Sequence, residues 1–521
     1  MRESEPSRPD RIFLDARIWT GDPSLPRAQA LAAREGRIVA VGDSRALRSM
    51  AGPGTECIRL GGAAVLPGFH DAHMHLSGGA LHGERVDLRE ARSAEEAAER
   101  IALAAQARPR EEWIRGWGWD QTRWARASWP DRAVLDRAAP DHKVLLSRID
   151  GHAVWANARA LEFFGIPLDR GEATLPPGIL LESAAERALA EAPVEDDATR
   201  RRALERALAL LGRFGITSIE DVCEPWAIPV YASLAREGRL SARVSLWIPF
   251  DTDTAQAEEW RRHHPPGDPW LSVHTRKIFL DGTLGSRSAA LDEPYADEGG
   301  SSGILRVDPA RLVQDVHEAD ARGWALALHA IGDRAVRVAL DALGSLPRRS
   351  GGIPHRIEHA QVIAKADLSR FAATGAVASL QPVHLVEDAL WVLKRLGPER
   401  ARRSYPWRSL LQTGVPIAIG TDWPIAPMDP LEGLVAASSF RSERVLPDPE
   451  EALSVEEAIR AYTAGSAFAR GASASVGRIA PGFFADFVVL SDDPTAIPSG
   501  EIPERVRVLA TYVGGRAVFS R

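Results

Sequence analysis

Apolar runs alternate with amphipathic segments along the middle of the chain. Each run predicts a β-strand, whereas segments such as "DATRRRALERALALLGRFG" carry apolar residues three and four positions apart and predict helices. Repeated strand–helix units indicate an α/β protein with a parallel sheet, and eight of them indicate a (β/α)₈ barrel. The predicted strands cover residues 65–76, 215–222, 242–250, 275–282, 324–330, 355–360, 377–383 and 416–422.

Three parts of the chain depart from this repeat. Both ends show polar–apolar alternation with Gly turns, which predicts a small β-sandwich built from residues 1–64 and 476–521. The barrel region, 65–430, exceeds the roughly 250 residues of a plain barrel, so we place an insertion at about 80–200 that caps the barrel. Its many tryptophans suit a cap, although they also suit the core of a small subdomain. Residues 431–475 are predicted to form a helical return.

Composition excludes several classes of protein. The 521 residues carry a formal net charge of -7, which argues against nucleic acid or an anionic membrane as a partner. No apolar run has the length of a membrane span, and the N-terminus lacks a signal sequence, so we expect a cytoplasmic protein. A small-molecule substrate is the expected partner, and a homodimer is the commonest assembly. Cys57 and Cys223 are too few for a thiolate cluster, so a metal would depend on other ligands.

The stretch "VLPGFHDAHMHLSGG" raises the question of a metal site. Side chains alternate along a strand, so Asp71, His73 and His75 face one side and His70 faces the other. Two imidazoles on one face can share a divalent ion, whereas His70 is interpreted as a packing residue or a neighbour of the ligands. A lone His-x-His pair is a weak signal, and it needs support from other strands.

That support comes from the C-terminal ends of the predicted strands, where barrel enzymes carry their chemistry. Glu220 is the exception, since a strand end that emerges into solvent explains it. The polar residues at these ends are His73, His75, Glu220, Asp221, Lys277, Asp281, His329, His359, Gln381 and Asp422.

Together these residues and their neighbours resemble the amidohydrolase superfamily, and within it the branch of N-substituted formamide deformylases. The resemblance extends over nearly the whole chain and departs from the family at His70, where relatives are usually apolar. It is carried by "LPGFHDAHMHL", "GWGWDQTRW", "DGHAVWAN", "GILLES", "GITSIEDV", "KIFLDGTLGSRSAAL", "HAIGDRAV", "HRIEHAQV", "SLQPVH", "GTDWPIAPMDPL" and "VGRIAPGFFADFVVL".

The resemblance implies a ligand set for one or two divalent ions. A histidine-rich site without thiolates makes zinc the expected metal, with manganese or iron compatible. It implies that His73 and His75 bind the more buried ion and that His329 and His359 bind the second. It further implies that Asp422 binds metal and transfers protons, and that Lys277 bridges the ions as a CO₂-derived carbamate.

The residues themselves support the carbamate. A carbamate forms from an uncharged amine, which arginine does not provide. The chain has four lysines among 64 basic residues, so a lysine kept in "TRKIFLDG" indicates that an amine is needed there. Two alternatives remain open at this point: a lysine whose ammonium extends to solvent at a strand end, and Lys277 as a terminal ligand of a single metal.

The expected activity is hydrolysis of an amide-like C–N bond by metal-activated hydroxide, with Asp422 as the proton carrier. His152 in "DGH" is a candidate oxyanion donor, or else it packs within the insertion. Arg287 could clamp an acidic group or be merely solvated. Alternatives are an isomerase or decarboxylase on the same scaffold, and a non-catalytic binding protein. The expected substrate-binding residues are Trp119, Asp120, Glu182, Arg287 and Gln381.

Overall fold

The structure is a computed structural model, and the part of the chain that it describes has a few gaps. Two compact units emerge from the contacts: Met1–Ser77 with Ala207–Arg521, and Gly78–Arg206. Each unit is described separately below. The described residues are 8–149, 153–168, 175–193, 195–347, 351–389, 391–439 and 448–521.

The first unit contains an eight-stranded parallel barrel, which confirms the predicted fold. Each strand pairs in parallel with the next along the chain, and most strand positions are buried, as expected for strands covered on both faces. The strands are β1 (Phe69–Met74), β2 (Ile216–Val222), β3 (Arg243–Pro249), β4 (Leu271–Phe279), β5 (Ala325–Ala330), β6 (Arg356–His359), β7 (Val377–Leu380) and β8 (Ile417–Ile419).

The backbone closes the ring where β1 meets the segment after β8. The Asp422 N–H donates to the His73 carbonyl at 2.7 Å, and the His75 N–H donates to the Trp423 carbonyl at 2.7 Å. Gly420 permits this approach, because a Cβ there would lie 2.3 Å from the His73 nitrogen. The sequence "GTD" therefore places Asp422 directly beside the His-x-His segment.

The helices of this unit run between the barrel strands or pack near its termini. The helix Asp197–Arg213 precedes β2. Helices that follow β2 to β8 are Ala227–Arg236, Thr254–His263, Pro309–Ala321, Asp333–Gly344, Lys365–Thr374, Pro382–Asp388, Val392–Arg402, Trp407–Gln412 and Pro430–Ser438. The remaining helical segments are Ser44–Arg48, Leu76–Ala80, Pro449–Glu451, Val455–Arg460, Ala461–Gly465, Ser466–Ala469, Ser499–Glu501 and Ile502–Arg505.

Both chain ends contribute to two packed sheets, as predicted. Phe13, Phe487 and Tyr512 meet between them, with ring centroids 4.7 to 4.8 Å apart. The four-stranded sheet contains Arg37–Gly42, Ala30–Arg34, Arg11–Leu14 and Glu56–Arg59; the six-stranded sheet contains Arg516–Ser520, Val508–Val513, Phe487–Leu490, Ala64–Pro67, Arg17–Trp19 and Arg27–Ala28.

One predicted strand is wrong in its extent. The apolar run over 65–76 forms two strands, because Ala64–Pro67 pairs with Phe487–Leu490 in the terminal sheet and only Phe69–Met74 enters the barrel. Gly68 lies at the break, where a Cβ would lie 2.2 Å from the Thr217 side chain.

The second unit has its own mixed sheet and core. Trp119 and Trp155 are fully buried there, and the Trp119 indole N–H donates to the Leu146 carbonyl at 2.9 Å. These rings fill the core of the unit, and the predicted cap over the barrel stays a prediction. Its strands are Val86–Asp87, Trp113–Trp119, Lys143–Arg148, Ala153–Ala156 and Ile179–Leu181; its helical segments are Leu81–Glu84, Ala94–Gln106, Gln121–Arg123, Arg132–Ala138, Ala158–Phe163 and Glu182–Glu191.

None of the helices in the described part of the chain is both long and apolar enough to cross a bilayer.

Candidate metal centre

Four imidazoles from three barrel segments meet at the C-terminal end of the barrel. His73 is the penultimate residue of β1 and His359 is the last residue of β6, and their rings lie 5.1 Å apart. His329, near the end of β5, lies 4.5 Å from the His359 ring, and His75 lies 5.6 Å from the His73 ring. The side chains that the sequence scatters over nearly 300 positions therefore share one site.

Asp422 lies among these rings. Its Oδ1 is 3.1 Å from His75 Nε2 and 3.4 Å from His73 Nε2, and its Oδ2 is 3.3 Å from His384 Nε2. Burial alone would raise the pKa of this carboxyl, but the surrounding imidazoles, of which His73 contributes most, hold the pKa well below its usual range. Asp422 is therefore an ionised carboxylate at pH 7.

The donor atoms fit a divalent cation. Asp422 belongs to two groups of three side chains, and within each group the ligand atoms all lie within 4.8 Å of one another. One group contains His73 and His75, and the other contains His359 and His384. Imidazole nitrogen with carboxylate oxygen is a donor set typical of zinc in proteins.

The buried imidazoles have the protonation state that a metal ligand requires. Burial lowers the pKa of His73 to about 4 and that of His329 to about 3, and it lowers the pKa of His359 well below the usual range. All three rings are neutral at pH 7, so each retains a nitrogen lone pair for coordination.

Lys277 lies inside this cluster and does not extend to solvent. The residue is 2% exposed, and its Nζ lies 3.4 Å from His73 Nε2. Burial lowers the pKa of the amine to about 8, so an appreciable uncharged fraction exists near neutral pH. The alternative of a solvated lysine at a strand end is therefore wrong.

The backbone at the site adopts unusual conformations. His359 has φ of 72°, Ala360 has φ of 46° and Asp422 has φ of 60°. All three lie in the left-handed region, which residues other than glycine rarely occupy. Such conformations cluster where the surrounding structure enforces a functional geometry. They turn the His359 and Asp422 side chains at the points where β6 and β8 end.

Comparison with known proteins agrees with this geometry. The model of the amidohydrolase family matches residues 56–519. The chain belongs to the amidohydrolase family. It is 32% identical to the putative amidohydrolase YtcJ of Bacillus subtilis and 28% identical to the N-substituted formamide deformylase of Arthrobacter pascens, in each case over 98% of this chain and 98% of the relative.

A solved structure extends the likeness to three dimensions. An uncharacterized metal-dependent hydrolase from Pyrococcus horikoshii superimposes with a TM-score of 0.80 at 30% identity, covering 94% of this chain and 99% of that chain. As a member of the amidohydrolase family, the protein is a metal-dependent hydrolase acting on C–N bonds.

Beneath the imidazoles of this amidohydrolase lies a buried ion network. Arg356 Nε donates to Glu358 Oε1 at 2.6 Å and its Nη1 donates to Glu220 Oε1 at 2.8 Å, all at 1% exposure or less. The expectation that Glu220 merely emerges into solvent is wrong, because its side chain is fully buried and accepts from Arg356. His70 borders this network, with Nε2 3.7 Å from Glu220 Oε1.

Two acids at strand ends accept hydrogen bonds from neighbouring segments of the chain. Asp221 accepts the Tyr231 hydroxyl at 2.9 Å, and burial raises its pKa to about 6. Asp281 accepts backbone N–H groups of Ala290, Ile331 and Gly332, and burial raises its pKa to about 7. Asp281 Oδ1 also lies 3.5 Å from His329 Nε2, so this acid borders the imidazole cluster as well.

The residues predicted to contact substrate have varied surroundings. Gln381 is buried beside the cluster, with Nε2 3.4 Å from His73 Nδ1. Arg287 pairs with Asp297 in an exposed loop, which fits the solvated alternative. Asp120 caps a helical turn and pairs with Arg148 at 2.6 Å.

Two predicted residues lie wholly or partly outside the described residues. His152 lies outside the described residues. Glu182 is the first residue of the helix Glu182–Glu191, and its side chain lies outside the described part.

Three residues that surround the predicted ligands were missed. His384 lies two positions into the helix Pro382–Asp388, and Glu358 and Arg356 lie inside β6. The motif "SLQPVH" contained a signal for His384, since a histidine just after a barrel strand belongs to the chemically active end. Glu358 had no such signal, because a glutamate within a strand gives no indication of its partner.

Proposed function

We propose that this amidohydrolase cleaves a non-peptide, amide-like C–N bond in a small molecule, such as an N-substituted formamide, an N-acyl amine or a cyclic amide. The observation that carries the proposal is the convergence of neutral imidazoles and an ionised Asp422 at one end of the barrel. The relative named N-substituted formamide deformylase supports the choice of bond.

The residues assigned to hold the cation, expected to be zinc, are the histidines of β1, β5 and β6, together with Asp422 and a carbamate on Lys277. When bound, a divalent ion lowers the pKa of water from 15.7 towards 7 and polarises the substrate carbonyl. The assigned residues are His73, His75, Lys277, His329, His359 and Asp422.

Asp422 performs the proton transfers. The carboxylate accepts a proton from the attacking water as oxygen adds to the carbonyl carbon, and it returns that proton to the departing nitrogen as the C–N bond breaks. The products are a carboxylic acid and an amine, which exist as carboxylate and ammonium near neutral pH and together account for the one water consumed. His384 Nε2, 3.3 Å from Asp422 Oδ2, orients the acid during both steps.

An exposed aromatic ring gives the substrate an apolar contact. Phe279 is 39% exposed, and its ring lies 5.2 Å from the His329 ring and 5.0 Å from Lys277 Nζ. An apolar group on the substrate that covers this ring removes water from the neighbourhood of the amine and the imidazoles. Gln381, buried beside the cluster, stays assigned as a polar substrate contact.

The experiment screens zinc-loaded protein against formamides, N-acyl amines and lactams, with product analysis for amine and carboxylate. We expect equal amounts of the two products from at least one class, and a fall in kcat of about 10² to 10⁴ for Asp422→Asn. Asp492→Asn, at an exposed ion pair with Arg505, is the matched control and should leave kcat unchanged. Full activity in Asp422→Asn would contradict the assigned role.

A further inference from the structure

One imidazole of the centre has a carboxylate partner of its own. His73 Nδ1 lies 2.7 Å from Glu358 Oε2, and both side chains are fully buried. The other ring nitrogen, Nε2, faces the candidate centre, 3.4 Å from Lys277 Nζ and 3.4 Å from Asp422 Oδ1. The two nitrogens of this ring therefore have separate environments.

Glu358 is fixed on its other side. Its Oε1 accepts the Arg356 Nε–H, and the same guanidinium donates through Nη2 to the Ala72 carbonyl at 2.8 Å and to Ser379 Oγ at 2.6 Å. Through Nη1 it also binds Glu220. These contacts reach β1, β2, β6 and β7, so the barrel itself determines where Glu358 Oε2 lies.

The chemistry of the contact selects one form of the histidine. A carboxylate that accepts a charge-assisted hydrogen bond from arginine can only accept from the imidazole, so the proton resides on His73 Nδ1. Gln381 offers a second contact to Nδ1, but at 3.4 Å and with an amide that can present either end. The shorter carboxylate contact decides, and Nε2 is left with its lone pair towards the centre.

We propose that Glu358, held by Arg356, is a positioning residue that keeps His73 in the Nδ1–H tautomer and orients Nε2 for metal coordination. This inference rests on the proposed function, because it assumes that His73 binds a metal. Removal of a carboxylate that orients a metal-binding histidine costs about 10- to 100-fold in metal affinity.

The test compares two substitutions in the same network. Glu358→Gln leaves a single acceptor oxygen for two donors, Arg356 Nε and His73 Nδ1, and removes the negative charge. Glu220→Gln changes the same residue type on the same arginine without a contact to His73. Zinc affinity is measured by competition with a chelator, and Co²⁺ absorption reports the coordination geometry. Thermal unfolding of the metal-free proteins reports the cost to the barrel.

We expect Glu358→Gln to lose about 10- to 100-fold in zinc affinity and to change the Co²⁺ spectrum. Glu220→Gln should retain the zinc affinity and the Co²⁺ spectrum of the wild type, even if its unfolding midpoint falls as far as that of Glu358→Gln. Unchanged zinc affinity in Glu358→Gln, or an equal loss in both variants, would overturn the inference.

A second variant covers a folding failure. Glu358→Asp keeps the charge but withdraws the oxygen from His73, so it should lose zinc affinity in the same way. If neither Glu358 variant folds while Glu220→Gln does, the carboxylate serves the barrel rather than the metal, and the inference is overturned. A wild-type protein that binds no zinc would contradict the proposed function itself, which separates the two failures.

Discussion

The reactivity of the Lys277 amine depends on its burial. A surface lysine is protonated at neutral pH, whereas burial lowers the pKa of this amine to about 8. Arginine at the same place would stay charged and could not take up CO₂. The residue therefore allows a direct test of the carbamate.

Lys277→Arg should bind fewer metal ions per chain than the wild type and lose most of its hydrolytic activity. In protein equilibrated with ¹³C-bicarbonate, the wild type should show a lysine carbamate resonance that the variant lacks. Metal content is measured by mass spectrometry after dialysis. The control is Lys365→Arg at an exposed helix start, which should change neither quantity. A variant at position 277 with full metal content and full activity would rule out the carbamate bridge.

Individual site residues differed in how far they could be predicted. His73, His329, His359 and Asp422 lie at or just after the ends of apolar strands, and strand ends in a barrel meet in space. Glu358 has the same position in a strand as many structural residues, and its contact with His73 joins residues 285 positions apart. Such a pairing depends on the register between β1 and β6, which local sequence does not contain.

At the scale of elements, the junction of β1 with β8 determines whether the site forms. Gly420 lies where these strands cross closely, and backbone hydrogen bonds from the next residues pair Asp422 with His73. A side chain at this point meets backbone atoms, which cannot move aside as a flexible side chain can.

Gly420→Ala should therefore destabilise the protein by about 1–3 kcal/mol or more. Because the added methyl separates His73 from Asp422, zinc affinity should fall as well. Unfolding midpoints and chelator competition measure the two effects. Gly344→Ala is the matched control, since its Cβ would have 3.9 Å to the nearest side-chain atom. A Gly420→Ala protein with wild-type stability and zinc affinity would contradict the described closure.

Element boundaries were harder to predict than element types. The run over 65–76 reads as one strand because apolar residues continue through it. Its first part leaves the barrel only because Phe487–Leu490, more than 400 positions later, supplies a partner. Pairing over such a distance leaves no trace in local periodicity.

At the scale of the whole molecule, a buried ion pair joins the barrel to the terminal sheets within the first unit. Arg243 begins β3, and its Nε donates to Asp486 Oδ2 at 2.6 Å, with both side chains almost fully buried. Asp486 directly precedes the strand Phe487–Leu490. The terminal sheets are thus connected to the start of barrel strand β3 by a buried ion pair.

Asp486→Ala should lower the free energy of unfolding by about 3–5 kcal/mol, because it leaves the Arg243 guanidinium buried without its carboxylate. Denaturant unfolding followed by fluorescence measures the change. Asp492→Ala breaks an exposed pair with Arg505 and should change the stability little. Equal changes in the free energy of unfolding for the two substitutions would mean that the buried pair stabilises the protein no more than an exposed pair does.

The fold as a whole was predictable from periodicity, because eight strand–helix units leave few other arrangements. The role of the inserted segment was not predictable from the sequence, because tryptophans such as Trp119 are as compatible with a hydrophobic core as with a cap. Burial of that ring within its own unit favours the core.

The central claim is that side chains from separate strands bind a divalent cation together. Anomalous diffraction at the zinc absorption edge, from crystals of zinc-loaded protein, tests this claim most directly. The account predicts one or two anomalous peaks at the end of the barrel, in contact with His73, His75, His329, His359 and Asp422. The absence of a peak there, with these side chains well ordered, would contradict it.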